Sequence, residues 1–330
     1  MSKIYKWGII GPGRIAQKFA AALSLVPNAT LHAVASRDIN RARQFASDYH
    51  APVSYDNYED LAEDDEIDAV YIATPHTFHH AHVLLCLQKN KAVLCEKPMS
   101  VNYDSTVEMV MVARQNKVFL MEAMWSRFLP IIEKTLQLIS GGEIGALKYL
   151  RADFGFVAPF DKDSRLYDLK LGGGSLLDIG VYPLFLALLI MGKPDEIKSF
   201  SHLAKTGADE TTNAILFYRN GMMANVLSSI GAQTPLTAEI TGTEGTIILD
   251  RPWYKGSLLH VRKKDTITQT ISLPYGDNGF EFQIKEVQEC LSKQLTESVL
   301  MPLDFSLLMS KVVDEICKAN HIAYKLQETR

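Results

Sequence analysis

Residues 6–16 read KWGIIGPGRIA: an apolar run, two glycines around Pro12, then the start of a helical pattern. Lys6 to Ile10 predicts a buried strand, and Arg14 to Leu25, with Ile15, Phe19 and Leu23 at core spacing, predicts a helix. Gly11-Pro12-Gly13-Arg14-Ile15-Ala16 between them fits G-x-G-x-x-A. In that motif Gly11 makes the tight turn, Gly13 lets the backbone approach a diphosphate and Ala16 keeps helix and strand close. The diphosphate then sits at the positive end of the helix. An accidental glycine-rich turn can carry the same letters, but here strand, loop and helix follow in the order the motif requires.

Outward from this stretch the pattern repeats. Strands are predicted at Thr30 to Ala35, Ala69 to Ala73, Ala92 to Cys95 and Val118 to Met121, with helices between them such as Tyr103 to Asn116, capped by Asn102. That alternation predicts an α/β Rossmann unit with a parallel sheet. After Met124 the rhythm changes. One helix, Leu129 to Ile139, precedes β-rich runs at Leu147 to Val157, Ile197 to Leu203, Asn213 to Tyr218, Met222 to Ser229, Thr237 to Thr241, Thr246 to Leu249, Ser257 to Val261 and Ile267 to Leu273. These predict an α+β domain with a large, mostly antiparallel open sheet, packed by the helix Ser175 to Ile190 and two final helices. Gly242-Thr243-Glu244-Gly245 reads as a hairpin turn, and the acidic run Glu59 to Asp68 as a solvated helix and turn. The expected division is residues 1–123 and 124–330.

Composition sets the limits. The chain has 330 residues, 47% hydrophobic and 22% charged, with a formal net charge of −4, so nothing electrostatic favours nucleic acid or an anionic membrane as partner. No signal-peptide pattern follows the N-terminus, and the most apolar stretch, Pro183 to Met191, is shorter than the roughly 18 to 20 residues of a membrane span. Cys86, Cys95, Cys290 and Cys317 form no C-x-x-C pair, which argues for reduced thiols and a cytoplasmic location. His76, His79, His80 and His82 are clustered, yet a metal site also needs convergent geometry, and none is expected.

Three further segments could carry chemistry. The second strand ends Ala35-Ser36-Arg37, where a NAD site usually has a carboxylate; a hydroxyl and a guanidinium suit the 2′-phosphate of NADP, while Asp38 leaves NAD as the alternative. Glu96-Lys97-Pro98 closes a strand at the carboxyl edge of the sheet, where a lysine could stabilise an alkoxide; a plain surface turn is an equal reading. In Gly172-Gly173-Gly174-Ser175-Leu176-Leu177-Asp178-Ile179-Gly180-Val181-Tyr182, the glycines would permit close approach to a ligand, and Asp178 and Tyr182, four apart, share a helix face. They could form a proton-handling pair, or be a helix-start carboxylate and a packed phenol.

Together, G-x-G-x-x-A, A-T-P-x-x-x-H (Ala73, Thr74, Pro75, His79), E-K-P and G-G-G-x-L-x-D-x-G-x-Y stand in the order and spacing of the Gfo/Idh/MocA oxidoreductases, and the chain resembles that family over essentially its whole length. With Glu122 to Pro130 and Tyr182, it looks most like the branch of dimeric dihydrodiol dehydrogenases and NADP-dependent xylose dehydrogenases. Many members carry histidine where Tyr182 stands; a phenol has an ordinary pKa of about 10, which a nearby Lys97 would lower.

The resemblance implies Lys97 and Tyr182 as the catalytic pair, with Asp178 orienting Lys97 or binding a substrate hydroxyl. It implies Gly11, Gly13, Arg14, Ile15, Ser36, Arg37, Thr74, Pro75, His79, Glu96 and Lys97 as cofactor contacts, and Trp125, Arg127 and Phe154 near substrate or nicotinamide. The expected activity is NADP-dependent interconversion of a secondary alcohol and a carbonyl on a sugar, polyol or cyclic diol. A cofactor-sensing binding protein and an NAD-assisted glycosidase are the competing readings. A homodimer or homotetramer through the C-terminal sheet is also implied.

Overall fold

The computed structural model describes residues 3–276 and 278–327. The chain forms two compact units: Met1–Trp125 with Asp277–Ser310 and Leu326–Arg330, and Ser126–Gly276 with Lys311–Lys325.

In the first unit, strands β1 (Tyr5–Ile10), β2 (Ala29–Ala35), β3 (Val53–Tyr55), β4 (Ala69–Ile72), β5 (Ala92–Glu96) and β6 (Leu120–Ala123) form a parallel sheet in the order β3-β2-β1-β4-β5-β6. Helices α1 (Arg14–Leu23), α2 (Ile39–Asp48), α3 (Tyr58–Glu63), α4 (His79–Gln88) and α5 (Tyr103–Asn116) are the crossovers. Asn102 caps α5 as expected, its side chain accepting from the Ser105 N–H at 2.9 Å. β1 pairs with both β2 and β4, so the order reverses there and a crevice opens at the carboxyl ends of the strands. The edge strand β3 is absent from the sequence-based expectation because three residues are too few to display an alternation. Buried Trp7 meets Phe19 edge-on, and Phe19 stacks on Tyr71, tying α1 to the sheet.

The division at residues 123/124 needs correction, because residues 277–310 return to the first unit. Helix α6 (Pro130–Ser140) comes early in the second unit. Among the later helices, α8 (Phe280–Ser292) buries Phe280, Ile284 and Val287 and packs on α1. A helical period discloses an apolar face but not which surface it covers.

The second unit carries an eight-stranded sheet of β7 (Leu147–Gly155), β8 (Glu196–Leu203), β9 (Asp209–Phe217), β10 (Met223–Ser229), β11 (Ala238–Gly242), β12 (Thr246–Leu249), β13 (Leu258–Lys263) and β14 (Thr266–Ser272). Its order is β14-β13-β12-β11-β7-β10-β9-β8, antiparallel except where β7 meets β10. The turn 242–245 joins β11 to β12 as a hairpin. A π-helical turn, Leu176–Gly180, runs into α7 (Val181–Met191), which packs on β7 and β10. The apolar stretch is longer than Pro183 to Met191: within Leu169–Met191 a window of 18 residues has mean hydropathy 1.9, sufficient by length and composition for a membrane span. Most of it (83%) is buried within the protein, where its all-round apolar surface forms core. The final helix is α9 (Leu303–Ala319).

Candidate active site

The glycine-rich turn in the first unit divides its labour between two residues. Gly11 has φ +89°, and a Cβ there would lie 2.8 Å from Thr74 Cγ2, so glycine is required by the fold. Gly13 is the N-cap of α1 at φ −96°, and a Cβ there would meet nothing within 4 Å. Its openness at a helix N-terminus fits a dinucleotide diphosphate, which needs bare backbone N–H groups at close range. Arg14 is exposed beside it and Ile15 half-buried.

Past β2, Ser36 is buried and its Oγ accepts from the Asp38 N–H at 3.3 Å. Arg37 is exposed, with its guanidinium 5.7 Å from the centre of the Phe78 ring. Burial pushes the Tyr58 phenol up, while Arg37 acts against that shift. The Asp38 carboxylate caps α2, accepting from the Asn40 N–H at 2.9 Å. The acid that could have taken a ribose hydroxyl is thus engaged by its own helix, leaving the cation outermost.

The loops after β4 and β5 are joined by His79. This fully buried ring places its two nitrogens 2.8 Å from the carbonyl oxygens of Thr74 and Pro98, and burial, then Lys97, hold the imidazole below its usual range. What His79 offers a cofactor is therefore the position of both loops. Thr74 is held again through Oγ1, 3.0 Å from His82 Nδ1, while Pro75 is half-buried ahead of the short turn His76–Phe78. Glu96 is turned inward: Tyr71 donates its hydroxyl to one carboxyl oxygen, and the Lys97 N–H donates to the other at 3.2 Å. Desolvation pushes the Glu96 carboxyl up to about 7, against the pull of Lys97 and Tyr71. Lys97 is buried at the strand end. Trp125, in the same unit, stacks on Phe280 with ring centres 5.1 Å apart.

In the second unit Asp178 lies within the π turn and Tyr182 in the first turn of α7. Such turns widen a helix locally and recur at functional sites. Asp178 is paired with Arg165, Nη1 to Oδ1 at 3.0 Å. Buried Tyr182 has Phe154 at 5.5 Å and Tyr254 at 5.4 Å between ring centres, and those two rings stack on each other at 4.0 Å. Burial pushes the Tyr254 phenol up. Arg127 is buried, with Glu133 at 3.7 Å.

Two glycines of the run before this helix serve protein rather than ligand, which corrects the expectation of close ligand approach. A Cβ on Gly173 would lie 2.8 Å from the Arg165 carbonyl oxygen, and one on Gly174, at φ +128°, would run into the Asp209 carboxylate. Arg165, Tyr254 and Asp209 are absent from the sequence-derived set. Tyr254 stands one residue after fully buried Trp253, whose Nε1 donates to the Asp153 carbonyl at 2.8 Å, and that anchoring has no sequence signature. Among the described residues, no group of three or more His, Cys, Asp or Glu is arranged to hold a metal ion, and the four cysteines are buried and unbonded to one another.

Comparison with known proteins accords with this geometry. Residues 5–124 match the model of an oxidoreductase family with an NAD-binding Rossmann fold, GFO/IDH/MocA, and residues 132–248 match the GFO/IDH/MocA C-terminal domain. The chain is 38% identical to trans-1,2-dihydrobenzene-1,2-diol dehydrogenase of Mus musculus, covering 97% of this chain and 98% of the relative. The Homo sapiens protein of the same name is 36% identical, with the same coverage. Among solved structures, KijD10, a 3-ketoreductase from Actinomadura kijaniata in complex with NADP and TDP-benzene, superposes with a TM-score of 0.87 at 26% identity, covering 96% of this chain and 98% of that one. Levoglucosan dehydrogenase in complex with NADH and levoglucosan has a TM-score of 0.87 at 16% identity over 96% and 97% of the two chains, a likeness of fold.

Proposed function

From the premise that this chain belongs to the GFO/IDH/MocA oxidoreductase family, we propose that it interconverts a secondary alcohol and a carbonyl on a sugar, polyol or cyclic diol, with NADP as cofactor. The observation that carries the substrate class is the surrounding of Tyr182: Phe154 and Tyr254 beside its ring, and Asp178 one helical turn before it. Aromatic faces suit the carbon skeleton of a ring, and a carboxylate and a phenol suit its hydroxyls. The relatives are named for a cyclic diol, which supports the same class.

When bound, the nicotinamide supplies or accepts the hydride. Gly13 and the start of α1 receive the diphosphate, and Ser36 and Arg37 take the 2′-phosphate; NADP rather than NAD follows from that cation and from the engagement of Asp38 in its cap. Thr74, Pro75 and the His79-tied loops shape the crevice. Tyr182 moves the proton of the reacting oxygen, Lys97 stabilises negative charge developing on it, and Asp178 binds a neighbouring hydroxyl. Trp125, Phe154 and Arg127 complete the substrate contacts in this reading. Assembly through the second sheet belongs to it too, supported by Phe200 standing 84% exposed on β8, and is read by sedimentation.

The test is NADPH absorbance over a panel of pentoses, hexoses, inositols, dihydrodiols and dicarbonyls, with NADH in parallel. Turnover on a hydroxylated ring that Lys97→Met abolishes while NADPH still binds is the expected result. Turnover retained by Lys97→Met, or a strong preference for NADH, contradicts the assignment.

A further inference from the structure

Asp209 is the first residue of β9, fully buried, and its carboxylate is aimed at the start of the helix that carries Asp178 and Tyr182. One oxygen, Oδ2, accepts three hydrogen bonds, from Ser175 Oγ at 2.7 Å, the Leu176 N–H at 2.7 Å and Thr212 Oγ1 at 2.8 Å. The other, Oδ1, receives the Tyr324 hydroxyl at 3.4 Å, and the same hydroxyl donates to the Gly173 carbonyl at 3.1 Å. Ser175 Oγ also lies 2.9 Å from Ser228 Oγ, and a Cβ on Gly180 would come 2.8 Å from that Ser228 oxygen. The π turn is therefore held at both ends, by Asp209 before it and by close packing on β10 after it. Burial raises the Asp209 carboxyl while Ser175, Thr212 and the Leu176 amide pull it down, so the group accepts hydrogen bonds at a cost in desolvation.

A π turn adds one residue to a helical turn, and relaxing it to α geometry would rotate the residues before α7 by about 100° around the axis relative to those in α7. Asp178 lies inside the turn and Tyr182 beyond it. We propose that Asp209 is a positioning residue, pinning the first turn of this helix with Thr212 and Tyr324 so that Asp178 and Tyr182 keep one fixed relation. The inference rests on the assignment of Tyr182 as the proton carrier.

The test compares Asp209→Asn, Thr212→Val and Thr212→Ser, with Tyr182→Phe in parallel, scoring kcat per NADPH-binding site, the NADPH Kd by fluorescence titration, and KM. Thr212→Val keeps the shape and removes the hydroxyl; Thr212→Ser keeps the hydroxyl. Misplacement of a reacting group by about 1 Å costs up to about 100-fold. Asp209→Asn is expected to lower kcat about 10- to 100-fold and Thr212→Val about 5-fold, with Thr212→Ser within about twofold of wild type and the NADPH Kd unmoved throughout. Should Asp209→Asn fail to fold, the Thr212 pair carries the test. Wild-type kcat in Thr212→Val, or equal losses in Thr212→Val and Thr212→Ser, overturns the pin while leaving the Tyr182 assignment in place. Full turnover by Tyr182→Phe overturns both.

Discussion

Arg165 holds Asp178: the guanidinium Nη1 stands 3.0 Å from Oδ1, the arginine side chain about half exposed (48%) and the carboxylate largely covered (14%). An ion pair open to water on one side contributes at most about 1 kcal/mol to stability, so its importance lies in where it leaves the carboxylate. Arg165→Gln is expected to leave the melting temperature nearly unchanged and to lower kcat/KM for the carbohydrate or diol about 3- to 10-fold, through KM, because Asp178 loses the donor that orients it. Steady-state kinetics with NADPH saturating decides this. A fall in melting temperature with unchanged kcat/KM would make the pair purely structural.

Gly11 and Gly13 separate folding from binding. Gly11→Ala puts a side chain at φ +89° and against Thr74, a strain of about 1–2 kcal/mol before the clash is counted, so a lower melting temperature is expected. Gly13→Ala meets no protein atom and sits at an ordinary φ, and should cost less than about 1 kcal/mol as a weaker cap. The added methyl would occupy the space where the diphosphate approaches, so the NADPH Kd should rise at least about tenfold, near 1.4 kcal/mol. Calorimetry and fluorescence titration on both variants check the contrast; a Gly13→Ala protein that binds NADPH normally would remove this turn from the cofactor site.

Much of this was legible before any coordinates. A glycine-rich turn between a strand and a helix announces itself because local sterics dictate its residues, and strands such as Ala92–Glu96 and Thr246–Leu249 are bounded by breakers. Asp178 and Tyr182 stood out by their spacing of four and Lys97 by its place at a strand end, while their catalytic roles were implied by the family resemblance. Hidden were groups whose role depends on distant pairings. Asp209 reaches Ser175 across 34 residues, and Tyr254 depends on Trp253 bonding to Asp153, 100 residues away. The return of α8 to the first unit is of the same kind, a long-range packing choice that periodicity leaves open.

The proposed preference for NADP rests on Arg37. The guanidinium is steadied by the Phe78 ring at 5.7 Å and has no rival carboxylate in Asp38, which is spent on the α2 cap. A charge-assisted hydrogen bond contributes about 1.5–3 kcal/mol, so Arg37→Ala should raise the KM for NADPH about 10- to 100-fold while moving that for NADH less than about threefold. Phe78→Ala, which frees the guanidinium without removing it, should raise the NADPH value about threefold. Equal losses with both cofactors would show that Arg37 does not read the 2′-phosphate.

Glu96 makes stability depend on pH. Its carboxyl is raised from 4.5 to about 7, chiefly by burial, with Lys97 and the Tyr71 hydroxyl pulling the other way. The folded chain thus keeps a proton that the unfolded chain has already released, and between pH 4.5 and about 7 unfolding sets it free. This group's contribution is most favourable at pH 4.5 and below, declines as pH rises through that window, and levels off above about 7. Glu96→Gln resembles the protonated form, keeps an acceptor for Tyr71 and has no proton to lose. Its stability relative to wild type should therefore increase from pH 5 to pH 8, measured by urea denaturation at both. A difference that stays constant, or shrinks towards pH 8, would mean that Lys97 compensates the buried charge fully and that Glu96 is ionised throughout.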